Sequence, residues 1–339
     1  MVKNIESKKR MVITMKKINV GIFFGGCSPE YSVSLSSASG VILNLDREKY
    51  EPVLIGISQK GEWFHYAGPV YRLLDDTWQN PADCTPAVLS PNRGENCLLL
   101  LGKEGVSRVP LDIAFPVLHG GNGEDGTLQG LLELSGIPIA GCGTLASALG
   151  MDKDRAHRLV SLEGVRVPMH LVMDPDTAAE EMERFAEKIG YPVYVKPVKA
   201  GSSYGVTKVS GREQLAPAVA LAFRYDSQVL LEENIPGFEV GCAVLGNRDL
   251  ITGEVDEIEL SGGFFDFTEK YTLKTSAIHV PARIDPAKAA EIKETAKRIY
   301  RALGCTGFAR VDMFLTPEGE VVFNEVNTIP GFTQHSRYP

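Results

Sequence analysis

The stretch TGFARVDMFLTPEGEVVFNEVN, residues 306–327, sets two carboxylates, an amide and a guanidinium at spacings that could do chemistry. Read as a hairpin with a two-residue turn at Glu318-Gly319, it places Asp312 opposite Glu325 and Arg310 opposite Asn327. Period-two alternation then puts all four on one face, while Val311, Met313, Leu315, Val322 and Val326 point to a core on the other. Directly opposed carboxylates repel by roughly a few tenths to 1 kcal/mol, so something positive is expected between them. Oxygen donors from Asp312, Glu325 and Asn327, without His or Cys, suit a hard cation such as Mg²⁺ or Mn²⁺, which commonly also takes oxygens from a nucleotide's phosphates. The other reading is a solvated hairpin face on which Arg310 pairs the acids.

A second stretch, YVKPVKAGSSYG, residues 194–205, offers the anion that such a cation needs. Lys196 lies on a strand, and Gly201, Ser202, Ser203 and Gly205 form a turn whose backbone N–H groups can wrap phosphate oxygens. It is not a Walker A sequence, since no G-K-[ST] precedes a helix. A plain hairpin turn remains the alternative. Glu232 and Glu239, flanking ENIPGF, suit a base amino group and a ribose hydroxyl; they also read as surface acids at a hinge.

The elements that must hold these groups follow from periodicity. INVGIFFGG is a buried strand running through two glycines into the helical pattern SPEYSVSLSSASGVILNL. EPVLIGIS and DIAFPVLHG read as further strands, and GEDGTLQGLLELSG as a helix with Leu128, Leu131 and Leu132 inward, ended by Gly136. Strand–helix alternation to about residue 150 predicts an open, mostly parallel α/β domain over 15–150, with ligand groups at the carboxyl ends of its strands. Residues 151–235 read as a small α+β unit. Its helix, within TAAEEMERFAEKIG, is capped by Asp176 or Thr177 and turns Met182, Phe185, Ala186 and Ile189 inward. Residues 236–339 are strand-rich with one clear helix, between Asp285-Pro286 and Gly304, whose Ala289, Ile292, Ala296, Ile299 and Leu303 are spaced by three and four.

Composition narrows the class. The chain has 339 residues, 44% hydrophobic and 23% charged, enough for two or three domains with ample core. A net charge of −8 and a pI near 5.4 argue against nucleic acid or an anionic membrane as partner. The six cysteines show no C-x-x-C spacing, which suggests neither a disulfide framework nor a thiolate zinc site. No apolar run approaches the ~20 residues of a membrane span, and residues 1–14 lack the apolar core of a signal peptide. A cytoplasmic protein with a disordered extension over 1–14 is expected.

These pieces, in this order, resemble the ATP-grasp superfamily and, within it, the D-alanine-D-alanine ligase family. The resemblance covers nearly the whole chain from Met15 and is carried by GGCSPEYSVSLSSA, LHGGNGEDGTLQG, MDKDRA, VKPVKAGSSYG, FFDFTEKY, GFARVDMF and NEVNTIPGFTQHS. It implies an ATP-grasp fold, α/β and α+β, in which the N-terminal open parallel α/β domain precedes central and catalytic subdomains at 151–235 and 236–339. By resemblance, Lys153 and Lys196, with Gly201 and Ser203, contact the phosphates of ATP. Glu232, Glu233 and Glu239 hold its adenine and ribose, and Asp312, Glu325 and Asn327 bind two Mg²⁺ ions. Glu30, near His119, matches the acid that holds the ammonium of the first D-alanine; alone it also reads as a helix N-terminal acid. Ser202 and Tyr271 resemble the pair that closes a mobile loop onto Glu30, and Lys270 a lysine that reaches the γ-phosphate. Arg310 and the Gly331 N–H resemble an oxyanion hole, and Ser336, with His335 and Arg337, the site of the second substrate.

The implied reaction follows from charge placement. The carboxylate of the first D-alanine attacks a neutralised γ-phosphate, giving an acyl phosphate and ADP. A second amine attacks the acyl carbon, the oxyanion hole holds the developing charge, and a D-dipeptide and phosphate leave. Lys270 and Tyr271 in the EKY pattern favour an amino acid over D-lactate as nucleophile. The wording of residues 253–274 and 323–339 most resembles D-alanine-D-serine ligases of the VanG type, linked to peptidoglycan precursor synthesis and vancomycin resistance; a housekeeping D-alanine-D-alanine ligase is the alternative. Asp256, Glu259 or Arg337 would partner a serine hydroxyl, and Phe267 stands where relatives often carry Tyr. An idle ATP-binding module would have lost the metal acids or Arg310, and neither is lost. The family implies a homodimer. It also implies a terminal helix beyond residue 339, so a truncated sequence is expected.

Overall fold

The computed structural model describes residues 16–260 and 276–339. The expected extension over 1–14, and Lys270, Tyr271 and Phe267, lie outside the described residues. Three sheets organise the chain.

In chain order the first sheet is built from β1 (Ile18–Gly25), α1 (Tyr31–Asn44), β2 (Tyr50–Ile57), β3 (Trp63–Tyr66), the single turn α2 (Tyr71–Leu74), β4 (Cys84–Leu89), β5 (Cys97–Gly102), β6 (Gly105–Pro110) and β7 (Ile113–Pro116). Its order is β6-β5-β4-β3-β2-β1-β7. The parallel part that strand–helix alternation led us to expect is β2-β1-β7. From β2 outward the sheet continues through antiparallel pairings to β6. Those outer strands pair antiparallel with only the single turn α2 among their connections, so no full crossover helix marks them in the sequence. Val20, Ile22 and Phe24 bury against α1 and Trp78, while Phe23 and Ile55 pack on the other face with α3 (Thr127–Ser135). Gly136 ends α3 in the left-handed region at φ 77°, where a side chain would be strained.

Two helices, α4 (Thr144–Met151) and α5 (Lys153–Leu162), lead to the second sheet. Asp152 caps α5 by accepting from the Arg155 N–H at 3.0 Å, which fixes Lys153 at the first helical position. The second sheet comprises β8 (His170–Met173), β9 (Val193–Pro197), β10 (Thr207–Val209) and β11 (Val229–Glu233), in order β10-β9-β11-β8. Helices α6 (Ala179–Ile189) and α7 (Leu215–Ala222) cover it. Met182, Phe185, Ala186 and Ile189 pack on the sheet as their spacing predicted. The expected cap is corrected: α6 starts after Ala178 without a side-chain cap, and the Thr177 hydroxyl instead accepts from the Asp174 N–H at 2.9 Å.

The third sheet holds β12 (Phe238–Leu245), β13 (Ile251–Leu260), β14 (Ser276–His279), β15 (Phe308–Leu315) and β16 (Val321–Asn327), in order β14-β13-β12-β15-β16. Helix α8 (Pro286–Ala302) lays Ile292, Ala296 and Ile299 on it, started by Asp285, which accepts from the Ala287 N–H at 2.8 Å. Asp312 faces Glu325 and Arg310 faces Asn327, as expected. The turn differs from the expectation. Thr316 and Glu320 close a three-residue loop, and a bulge between Asp312 and Met313 on one strand and Phe323 and Glu325 on the other restores the register. The extra residue, Asn324, reverses the alternation toward the turn. Val321 and Phe323 therefore join the core cluster and Val322, also buried, does not.

Candidate active site

A cavity opens where the three sheets meet, lined by Glu30, His119, Glu124, Lys153, Arg310, Glu325, Asn327, Gly331, Ser336 and Arg337 among others. A second cavity shares Lys153, Ala200 and Glu325 with it and continues along Tyr194, Lys196, Glu232, Glu233, Ile235, Phe238, Glu239 and Phe314. Residues separated by up to 307 positions thus converge on two joined chambers. The first is polar. The second pairs an apolar slot with lysines and carboxylates, which fits an aromatic base joined to an anionic tail.

Glu30, buried at the start of α1, accepts a hydrogen bond from the Ser202 hydroxyl. Its carboxylate has room because Gly120 and Gly201 lack side chains: a Cβ on them would stand 2.5 and 2.9 Å from Glu30 Oε2. Ser202 and Ser203 both sit at positive φ, 49° and 59°, a left-handed pair that is uncommon for serine and turns successive N–H groups toward one side. Lys153 reaches the same loop, donating to the Ala200 carbonyl at 2.7 Å. Lys196 bonds Glu232 Oε1 at 2.5 Å. Burial pushes the Glu232 carboxyl up, but the groups around it, Lys196 foremost, together hold it below the usual range. Glu233 accepts from Arg166 Nη2 and the Met169 N–H, both at 3.0 Å, so it anchors the 166–169 segment at the cavity edge.

His119 is committed on both nitrogens. Nδ1 lies 3.1 Å from the Ile329 carbonyl and Nε2 lies 3.2 Å from Ser37 Oγ, which also accepts from the Phe332 N–H. Burial pushes the imidazole down to about 4, so it is neutral and ties the chain's last segment to the first sheet. Ser336 Oγ accepts from the Thr333 N–H at 2.9 Å, and Gly331 packs against it. His335 is exposed, with its Nε2 3.1 Å from the Gln334 side-chain amide nitrogen.

Asp312 is 1% exposed and both its oxygens are gripped by Arg310, at 2.8 and 2.7 Å. The Asn327 amide donates to it at 2.8 Å. Burial alone would lower the Arg310 pKa; Asp312 reverses that and raises it. Arg310 thus supplies positive charge to Asp312, while Glu325 and Asn327 line the cavity. No group of three His, Cys, Asp or Glu side chains converges as a metal site among the described residues. Two carboxylates and an amide oxygen on adjacent strands still have the donor chemistry of a hard divalent cation. The residues fit such an ion if Asp312 shares its charge with Arg310.

Arg337 departs most from expectation. It binds Glu239 Oε1 at 2.5 Å and Asp256 Oδ1 at 2.6 Å, and lies 3.6 Å from Asp312. Gly241 makes this possible, since a Cβ there would stand 2.6 Å from Asp256 Oδ2. Glu259 is exposed and paired with His279 at 2.7 Å and Arg283 at 3.0 Å, away from this cluster.

One group was missed. Glu124 lines the first cavity and accepts from the Gly120 N–H at 2.7 Å. Burial, then the charge of Glu30, pushes its carboxyl up to about 8. A carboxyl that titrates near neutrality inside a cavity can take or give a proton there. Its signal was the acid within GGNGEDG, which reads as an ordinary turn acid until the fold brings Glu30 beside it.

Comparison with known proteins agrees with this architecture. Residues 19–142 match the D-ala D-ala ligase N-terminus family and residues 159–339 the D-ala D-ala ligase C-terminus family. The solved structure of the VanG D-Ala:D-Ser ligase from Enterococcus faecalis superposes with a TM-score of 0.88 at 54% identity, covering 96% of this chain and 94% of that one. A putative D-alanine-D-lactate ligase of Streptomyces coelicolor is 48% identical, over 96% of this chain and 92% of its own. A D-alanine-D-alanine ligase of Caldicellulosiruptor bescii is 43% identical, over 96% and 90%. The three differ in their second substrate, so similarity alone does not decide it. The chain has the ATP-grasp fold and belongs to the D-alanine-D-alanine ligase family of ADP-forming ligases.

Proposed function

We propose that this enzyme joins D-alanine to D-serine with ATP, in peptidoglycan precursor synthesis of the vancomycin-resistant kind. The observation that carries the serine reading is Arg337, on the wall beside Ser336 and Gly331 and held from behind by the buried Asp256. A serine hydroxyl entering that chamber finds a fixed donor in Arg337, whereas a methyl group leaves it without a ligand partner. Such a difference is worth about 1 kcal/mol or more. Of the three expected hydroxyl partners, Arg337 remains on the wall, Asp256 acts only by holding Arg337, and Glu259 is paired with His279 and Arg283 instead.

In this reading Lys153 and Lys196, with Gly201 and Ser203, bind the phosphates, and Glu232, Glu233 and Glu239 flank the base and ribose. Asp312, Glu325 and Asn327 would hold Mg²⁺ or Mn²⁺, which supplies charge neutralisation at the terminal phosphate when bound. Glu30, fixed by Ser202, holds the first ammonium, with His119 orienting the floor behind it. Arg310 and the Gly331 N–H stabilise the oxyanion, and Ser336 and His335 take the second carboxylate. Lys270 and Tyr271 would exclude water from the acyl phosphate. Residues 15–150 form the substrate domain and 151–235 and 236–339 the two grasping subdomains, in a cytoplasmic homodimer.

ADP formation by purified protein with ATP and Mg²⁺ tests the ligase reading. It is expected to depend on D-alanine and to rise further with D-serine. Turnover indifferent to D-alanine would overturn it.

A further inference from the structure

His157 on α5 and Glu232 on β11 lie behind the nucleotide-side cavity, 1% and 2% exposed. His157 Nε2 faces the Asn324 carbonyl at 3.1 Å. A carbonyl only accepts, so Nε2 carries the proton and Nδ1 presents a bare lone pair. Burial keeps the ring neutral, pushing it down to about 4. The lone pair faces Glu232 Oε2 at 4.0 Å, and neither atom has a hydrogen-bond partner among the described residues. Lys196 occupies the other oxygen, Oε1.

Two buried acceptors face to face are costly unless one donor serves both. Both atoms have almost no accessible surface, so a donor with two hydrogens, such as the amino group of a ligand seated in the cavity that Glu232 lines, serves both only as that wall yields to it. The ring cannot turn away. It packs between the rings of His170 and Phe323, at 5.1 and 5.6 Å. His170 is held in turn by Asp154 at 3.0 Å and the Pro168 carbonyl at 3.1 Å, and Asp154 by Arg158 at 2.7 Å. This chain of contacts ends on the oxygen of Glu232 that Lys196 leaves open.

We propose that His157 is a positioning residue for nucleotide selection: through a shared two-hydrogen donor it fixes the open oxygen of Glu232, so that the site prefers a base bearing an amino group to one bearing an oxo group at the same ring position. The inference rests on the reading of Glu232 as a base contact.

Steady-state kinetics with ATP and with inosine triphosphate, at saturating amino acids, test it in wild type, His157→Phe, His157→Gln and Glu232→Gln. His157→Phe should raise the KM for ATP about fivefold to tenfold, the equivalent of one hydrogen bond, with kcat within about twofold. The KM for inosine triphosphate should not move, so preference for ATP falls by the same factor. His157→Gln, whose amide can both donate and accept, should recover most of it. An unchanged preference in folded His157→Phe overturns the proposal, as does an equal loss with both nucleotides. If His157→Phe does not fold, His157→Leu is read by the same two criteria. Preference lost in Glu232→Gln but kept in the His157 variants refutes this inference alone. Preference kept in Glu232→Gln refutes the base contact beneath it.

Discussion

Replacing Arg337 with Met removes a guanidinium that binds Glu239 and Asp256 and approaches Asp312. The side chains of Arg337, Asp256 and Asp312 are 6%, 3% and 1% exposed, so the acids left behind cannot be rescued by solvent. Breaking a buried pair costs about 3–5 kcal/mol. Because Asp312 keeps Arg310, a loss near the lower end, about 3 kcal/mol, is expected. Burial already pushes the Asp256 carboxyl up and Arg337 opposes that, so the variant drives it higher and Asp256 takes up a proton. A carboxyl whose folded pKa is raised favours the fold at low pH and loses that contribution as pH rises through the folded value. The cost should therefore be larger at pH 8 than at pH 6. Native-state hydrogen exchange of β12 and β15 amides reads it locally, in Arg337→Met, Asp256→Asn and the double variant. The double variant should cost less than the sum of the singles by about 1.5 kcal/mol or more. A cost below about 1 kcal/mol at pH 8, or strict additivity, would refute the reasoning, since buried pairs of this kind couple more strongly.

Two further outcomes are expected. Glu124, raised to about 8 by burial and then by Glu30, penalises the metal-free fold increasingly between its unfolded value and pH 8. Glu124→Gln should accordingly gain melting temperature relative to wild type at pH 9 and gain less at pH 6; the opposite trend would show that the carboxyl is not raised. Glu325→Gln should weaken Mn²⁺ binding, followed by electron paramagnetic resonance with nucleotide present, roughly 10- to 100-fold or more. Unchanged affinity would remove Glu325 from the metal ligands.

The hairpin at the centre of the site was legible because alternation outlasts local error. Asp312 and Glu325 face each other although the turn and the bulge were both absent from the reading, since the two changes offset each other. Helix α8 was legible to within a residue because Asp285-Pro286 and Gly304 bracket a clean apolar stripe. The antiparallel extension of the first sheet was not, because its strands are joined without full crossover helices, only the single turn α2 lying between β3 and β4. Arg337 was assigned to substrate, and nothing local in SRYP reveals that three acids from β12, β13 and β15 await it. Glu124 was lost for the same reason. Its chemistry comes from Glu30, which lies 94 positions earlier in the chain.

The most direct test of the central claim is product partition. Purified enzyme with ATP and Mg²⁺ is given D-alanine and D-serine at equal concentration, and the two dipeptides are quantified by mass. D-alanyl-D-serine is expected to exceed D-alanyl-D-alanine across pH 7–9, with the excess lost in Arg337→Met. A wild-type excess of D-alanyl-D-alanine throughout that range would contradict the serine assignment.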